Sequence, residues 1–95
     1  MKDNVIIITG AAMGLGFATA EYLAKKGAKL SLVDYNAEAL EDAVKKLKEI
    51  DTDLELLTVE ADVSDEEAVK NYVEKTVETF GRIDGFYNNA GIEGY

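Results

Sequence analysis

The sequence predicts an α/β fold, a three-layer α/β/α arrangement on a parallel sheet of four strands in the order 3-2-1-4. Three observations carry this expectation. Short apolar runs alternate with segments of helical periodicity along the whole chain. The first run, Val5-Ile6-Ile7-Ile8, is continuously β-branched, as befits a strand buried on both faces of a parallel sheet. With no proline present, glycines alone punctuate the segments. A βαβαβαβ order with right-handed crossovers forces parallel strands with helices on both faces. Ligands of such sheets bind at the carboxyl ends of the strands, where the strand order reverses. In this order the reversal falls between strands one and four.

Each element has its own signature. Strand one is Val5 to Ile8. From Gly14 to Lys26, Leu15, Ala18, Tyr22 and Leu23 fall at helical spacing and read as a core stripe, with Lys25 and Lys26 in the last turn and Gly27 as the stop. Leu30 to Val33 reads as strand two, and Asn36 is a good N-cap for a second helix whose stripe is Leu40, Ala43, Val44 and Leu47. Leu54 to Ala61 reads as strand three, placed near an edge by Glu55 and Glu60. Ser64 and Glu67 make an S-x-x-E capping box for a third helix, which carries Val69, Tyr72, Val73, Thr76, Val77 and Phe80 up to Gly81. Ile83 to Asn89 reads as strand four.

Composition narrows the function. Ninety-five residues, 47% of them hydrophobic, make one domain over residues 1–95 with room for one core and none for a second, substrate domain. Ten Lys and Arg against nineteen Asp and Glu give a formal charge of −9, which repels nucleic acid and anionic membrane surfaces. An anionic ligand must therefore be held by local backbone donors. The chain has no cysteine and no histidine, which removes disulfides, thiolate chemistry, the commonest metal ligand and the commonest general base. No metal site is expected. The run Val5 to Ile8 is too short for a signal-peptide core or a membrane span, and a soluble, cytoplasmic protein is the expectation.

Thr9-Gly10-Ala11-Ala12-Met13-Gly14-Leu15-Gly16 follows a strand and opens a helix, the context in which a glycine cluster cradles phosphates. Gly10 serves the tight turn, Gly14 lets backbone approach a pyrophosphate, and Gly16 allows close packing of helix on strand. The helix N-terminus then offers free N–H groups and a positive dipole end. The spacing is TGxxxGxG rather than GxGxxG. Asp34 ends strand two, 18 residues after Gly16, where a carboxylate accepts hydrogen bonds from both ribose hydroxyls of an adenosine. It would repel a 2′-phosphate, and Met13 and Tyr35 stand where an arginine would be needed to hold one, so NAD is favoured over NADP.

Asp62-Val63 closes strand three, where the carboxylate could meet an adenine amino group and Val63 could lie on the ring. Asp62 reads equally as an acidic residue favouring the positive end of the next helix. Phe86-Tyr87-Asn88-Asn89-Ala90-Gly91 puts two amides at the end of strand four. Asn88 reads as readily as a stitch between loops as a ligand contact, whereas Asn89, Ala90 and Gly91 read as binding residues. Tyr22-Leu23-Ala24-Lys25-Lys26 matches the Y-x-x-x-K pattern of some dehydrogenases, but Tyr22 lies roughly 9 Å along the helix from the phosphate end. Tyr22 is read as core and Lys26 as a partner of the helix dipole.

Taken in that order and at those spacings, TGAAMGLG, Asp34, Asp62-Val63 and NNAG resemble the short-chain dehydrogenase/reductase family, and the resemblance covers the whole chain. Gly27 to Asp34 and Phe80 to Gly94 resemble one branch of it in particular. The resemblance implies a Rossmann-type, NAD(P)-binding half-domain. It implies cofactor contacts at Gly10, Met13, Gly14, Leu15, Gly16, Asp34, Asp62, Val63, Asn89, Ala90 and Gly91, and hydride transfer between nicotinamide and an alcohol or ketone carbon. The family's active-site Asn, Ser, Tyr and Lys follow the NNAG motif, and no residue of this sequence matches them. The expectation is thus a nucleotide-binding half, truncated after NNAG, that is catalytically inactive by itself and meets an alcohol or ketone only in a full-length form. Two alternatives stay open. One is a non-catalytic half-domain that self-associates through an exposed strand-four edge. The other is a flavodoxin-like receiver with Asp62 as phosphoacceptor, which lacks the acidic pair after strand one, where Thr9-Gly10 stands.

Overall fold

The computed structural model describes residues 3–12, 14–62 and 64–89. Among them the chain runs β1 (Val5–Thr9), α1 (Gly14–Lys25), β2 (Lys29–Asp34), α2 (Ala37–Ile50), β3 (Leu56–Glu60), α3 (Glu66–Phe80) and β4 (Gly85–Asn88). All strand pairs are parallel and the order is β3-β2-β1-β4. The expected sheet is therefore the observed one. Ile6 faces Leu30 on β2 and Gly85 on β4, so β1 is hydrogen-bonded on both sides. All five of its residues are buried, which is why a continuous β-branched run is needed there.

Side chains alternate between two cores. Ile6, Ile8, Leu30 and Leu32 point to one face and pack with Ala20, Leu23 and Ala24 of α1 and Leu40 and Leu47 of α2. Ile7, Val33 and Val59 point to the other, against Tyr72 of α3. Ser31 also faces α3, and the Thr76 and Ser31 hydroxyls share a hydrogen bond of 2.8 Å. Thr76 is further bonded to the Tyr72 carbonyl at 2.7 Å, so this buried polar pair is satisfied within the core.

Two local expectations are corrected. Leu15, Ala18 and Tyr22 are exposed, Leu15 at 66% and Tyr22 at 60%, while α1 buries Gly16, Ala20, Leu23 and Ala24. The two sets lie on nearly opposite sides of the helix. Small residues face inward because α1 rides close to β1 and the following loop, and a tyrosine has no room there. Tyr22 instead lies under the Lys26 ammonium, 5.4 Å from its ring centre. Likewise Asp65, not Ser64, caps α3: its carboxylate accepts the Glu67 N–H at 2.9 Å, and the helix begins one residue later than a Ser64 cap requires. The Ser64 hydroxyl is engaged by Asp62 instead. α3 stops at Gly81, whose N–H donates to the Val77 carbonyl.

Asp84 fastens the entry of β4 to the start of β1. Its carboxylate accepts the Val5 N–H at 2.8 Å, and its own N–H donates to the Val5 carbonyl at 2.8 Å. The hydrogen bond from Val5, followed by those from Arg82, holds the Asp84 carboxyl below its usual 3.8. A carboxyl lowered in the folded state contributes stability that is present above the unfolded value and lost as pH falls through the folded one. Thermal unfolding followed from about pH 5 to pH 2 should therefore show a steeper acid decline for the wild type than for Asp84→Asn. Parallel declines would show that this carboxylate does not couple folding to protons.

Candidate functional site

The site forms where four strand ends and one helix start meet. The chain leaves β1 at Thr9 and turns at Gly10, where φ is +62°, before α1 opens at Gly14, where φ is +57°. Both values lie in the left-handed region that glycine adopts without strain. Gly16 is a case of close approach: a Cβ there would overlap the Gly10 carbonyl oxygen and lie 2.8 Å from its carbon. Helix and loop are thus in backbone contact. A Cβ on Gly14 would meet nothing within 4 Å, so the loop has open space on that side. The first turn of α1 has no acidic residue, whereas α2 has Glu38 and α3 has Glu66 and Glu67. The positive end of the α1 dipole therefore has no acidic side chain in its own first turn to offset it.

Asp34 ends β2 and is only 4% exposed. One carboxylate oxygen accepts the Ala12 N–H from the glycine loop at 3.1 Å, and the other accepts the Asn36 N–H at 3.2 Å. Its neighbour Tyr35 is 71% exposed. Asp62, past the end of β3, is exposed, and one of its oxygens accepts both the Ser64 hydroxyl at 2.7 Å and the Ser64 N–H at 2.9 Å. Those bonds, the hydroxyl's first, hold the Asp62 carboxyl below its ordinary value.

At the end of β4 both amides make contacts within the protein, Asn88 as the stitch that was one of its two readings. The Thr9 hydroxyl donates to the Asn88 side-chain oxygen at 2.8 Å, which ties β4 to β1. Asn89 is buried, and its amide nitrogen reaches the Gly10 carbonyl at 3.5 Å. The structure thus brings Gly10, Gly14, Leu15, Gly16, Asp34, Asp62 and Asn89 to the carboxyl ends of the strands or the start of α1. Met13, Val63, Ala90 and Gly91 lie outside the described residues. Ser64 as the partner of Asp62, and the Ala12 N–H as the partner of Asp34, were missed in the sequence. The S-x-x-E pattern places Ser64 at a helix cap, and a backbone donor leaves no mark in residue type. Among the described residues no three His, Cys, Asp or Glu side chains are placed to hold a metal ion, and no helix is long and apolar enough to cross a membrane.

A parallel sheet in this order, with a glycine loop opening α1 and a carboxylate ending β2, is the arrangement of a dinucleotide-binding fold. The short chain dehydrogenase family matches residues 4–95, and the chain belongs to that family. The levodione reductase of Leifsonia aquatica is 59% identical over 92 residues, which cover 97% of this chain and 34% of that protein. The crystal structure of levodione reductase superposes with a TM-score of 0.88 at 55% identity, over 90% of this chain and 33% of that one. This is the branch that the stretches from Gly27 and Phe80 resemble. NAD+-bound xylitol dehydrogenase gives a TM-score of 0.83 at 39% identity, over 90% of this chain and 32% of that one. The L-sorbose reductase of Gluconobacter frateurii, complexed with NADPH and L-sorbose, gives 0.85 at 36% identity, over 90% and 32%. The chain spans about a third of the length of the relatives it matches.

Proposed function

We propose that residues 1–95 form the nucleotide-binding half of an NAD-dependent oxidoreductase acting on an alcohol or ketone, and that they hold the adenosine and pyrophosphate of NAD in preference to NADP. The observation that carries this reading is the buried Asp34 carboxylate at the end of β2, beside a glycine loop in backbone contact with α1. The fit is chemical. The loop offers N–H donors and an acid-free helix start to the phosphates, and Asp34 offers acceptors to the ribose hydroxyls. Asp62 would meet the adenine amino group, while Asn89 supports the loop from the other side, and Met13, Leu15, Val63, Ala90 and Gly91 complete the proposed contacts. NAD, when bound, supplies the hydride chemistry. The family name of the relatives and the NAD- and NADPH-bound neighbours support the cofactor class. A cytoplasmic setting belongs to the same proposal.

Calorimetry with NAD, ADP-ribose and NADP tests it. NAD and ADP-ribose should bind, with NADP weaker by about tenfold or more. Equal affinity for NADP, or no binding by folded protein, would sink the assignment of Asp34. The 95-residue chain by itself should form no NADH at 340 nm with any alcohol, because it offers no acid or base matching the family's catalytic set. Tyr22 is not one, since it lies on the outer side of α1 with its ring against Lys26.

A second reading is favoured by one observation. Among the described residues β4 pairs with β1 alone, and Phe86 on β4 is 47% exposed. Such an edge fits self-association with a second copy of this chain. Sedimentation at micromolar concentrations decides: a clean monomer argues against it.

A further inference from the structure

We infer that Asp34 has a second task besides ribose recognition: it is the strut that holds the glycine loop in its phosphate-binding shape, so that one carboxylate couples the ribose and pyrophosphate subsites. This rests on the nucleotide-binding reading above. Two consecutive loop donors are spent on the end of β2, the Ala11 N–H on the Val33 carbonyl at 3.2 Å and the Ala12 N–H on the Asp34 carboxylate at 3.1 Å. The carboxylate is itself immobilised. Its other oxygen accepts the Asn36 N–H at 3.2 Å, and the Asp34 carbonyl accepts the Ala61 N–H at 3.0 Å, which ties the residue to the loop after β1, the N-cap of α2 and the residue following β3. At 4% exposure, turning this side chain away would leave the Ala12 N–H without its acceptor.

The two tasks do not compete. An ionised carboxylate has about four lone-pair sites, and the loop and Asn36 take two of them. Two remain for two ribose hydroxyls. The Ala11 and Ala12 N–H groups are thus held by the protein itself, which lowers the ordering that phosphate binding by the loop would cost.

The test separates the two tasks with ADP and 2′,3′-dideoxy-ADP, which keeps both phosphates and lacks both hydroxyls. Asp34→Ala should weaken binding of both by about tenfold or more, and should speed exchange of the Ala12 amide hydrogen by about as much. Asp34→Asn, which keeps an acceptor oxygen within reach of Ala12, should recover most of the dideoxy affinity and the Ala12 protection while ADP stays weakened. A general loss of fold would not give this split between ligands. If Asp34→Ala weakens ADP alone and leaves dideoxy-ADP and Ala12 exchange untouched, the carboxylate serves only the ribose and the strut is wrong. If neither nucleotide responds to Asp34→Ala, or the wild type binds neither, the nucleotide reading falls with it.

Discussion

Gly16→Ala is expected to abolish nucleotide binding and to lower stability by about 2–3 kcal/mol, the upper part of the range for overpacking. The alanine Cβ would overlap the Gly10 carbonyl oxygen, sit 2.8 Å from the Gly10 carbon and 3.1 Å from the Asn89 side-chain nitrogen. Two of those three atoms are backbone and cannot rotate aside. Relief comes only from moving α1 outward or reshaping the loop. Either movement displaces the N–H groups proposed to meet the phosphates and loosens the Asn89 contact with Gly10. Gly14→Ala provides the contrast, because a Cβ there meets nothing within 4 Å and the cost is that of φ at +57° alone, about 1–2 kcal/mol. Urea unfolding and calorimetry with ADP-ribose on both variants check the pair. A Gly16→Ala protein that binds as the wild type does would mean that backbone contact between helix and loop is dispensable.

The same glycine explains what the sequence displayed and what it hid. Strand order was legible because β1 is β-branched throughout and because carboxylates and amides recur at strand ends, where a parallel sheet gathers them. The inner face of α1 was not legible from hydrophobicity, since it is made of Gly16, Ala20 and Ala24 with Leu23, while the larger Leu15 and Tyr22 point outward. Closeness of approach, rather than apolar bulk, decides which face turns in. At the start of α3 two capping residues stood side by side. Asp62 engages the Ser64 hydroxyl and Asp65 takes the cap, a choice that residue types alone leave balanced. For the candidate site, the carboxylates and glycines were readable by type and spacing. The donors that organise them, the N–H groups of Ala11 and Ala12, belong to the backbone and become visible only once the loop is folded.

Asp34→Ser combined with Tyr35→Arg is expected to raise the ratio of NADP to NAD affinity by about a hundredfold or more. A 2′-phosphate at the ribose edge would lie beside a carboxylate that is 4% exposed and fixed from both sides, so neither water nor rotation relieves the repulsion. Two unit charges about 4 Å apart at an effective dielectric near 20 repel by about 4 kcal/mol. Removing Asp34 therefore carries most of the effect. Position 35 is 71% exposed, and an arginine there pairs with the phosphate in water, which adds about 1 kcal/mol or less. Because Asp34 also supports the loop, both cofactors should bind the double variant less tightly than their contacts alone would suggest. The ratio is thus the sound readout, since a slackened loop penalises the shared pyrophosphate of the two cofactors equally and cancels. Calorimetry on the two single variants and the double variant apportions the change: Asp34→Ser should account for the larger share, and a ratio moved by Tyr35→Arg alone would place discrimination on the surface rather than on the buried carboxylate.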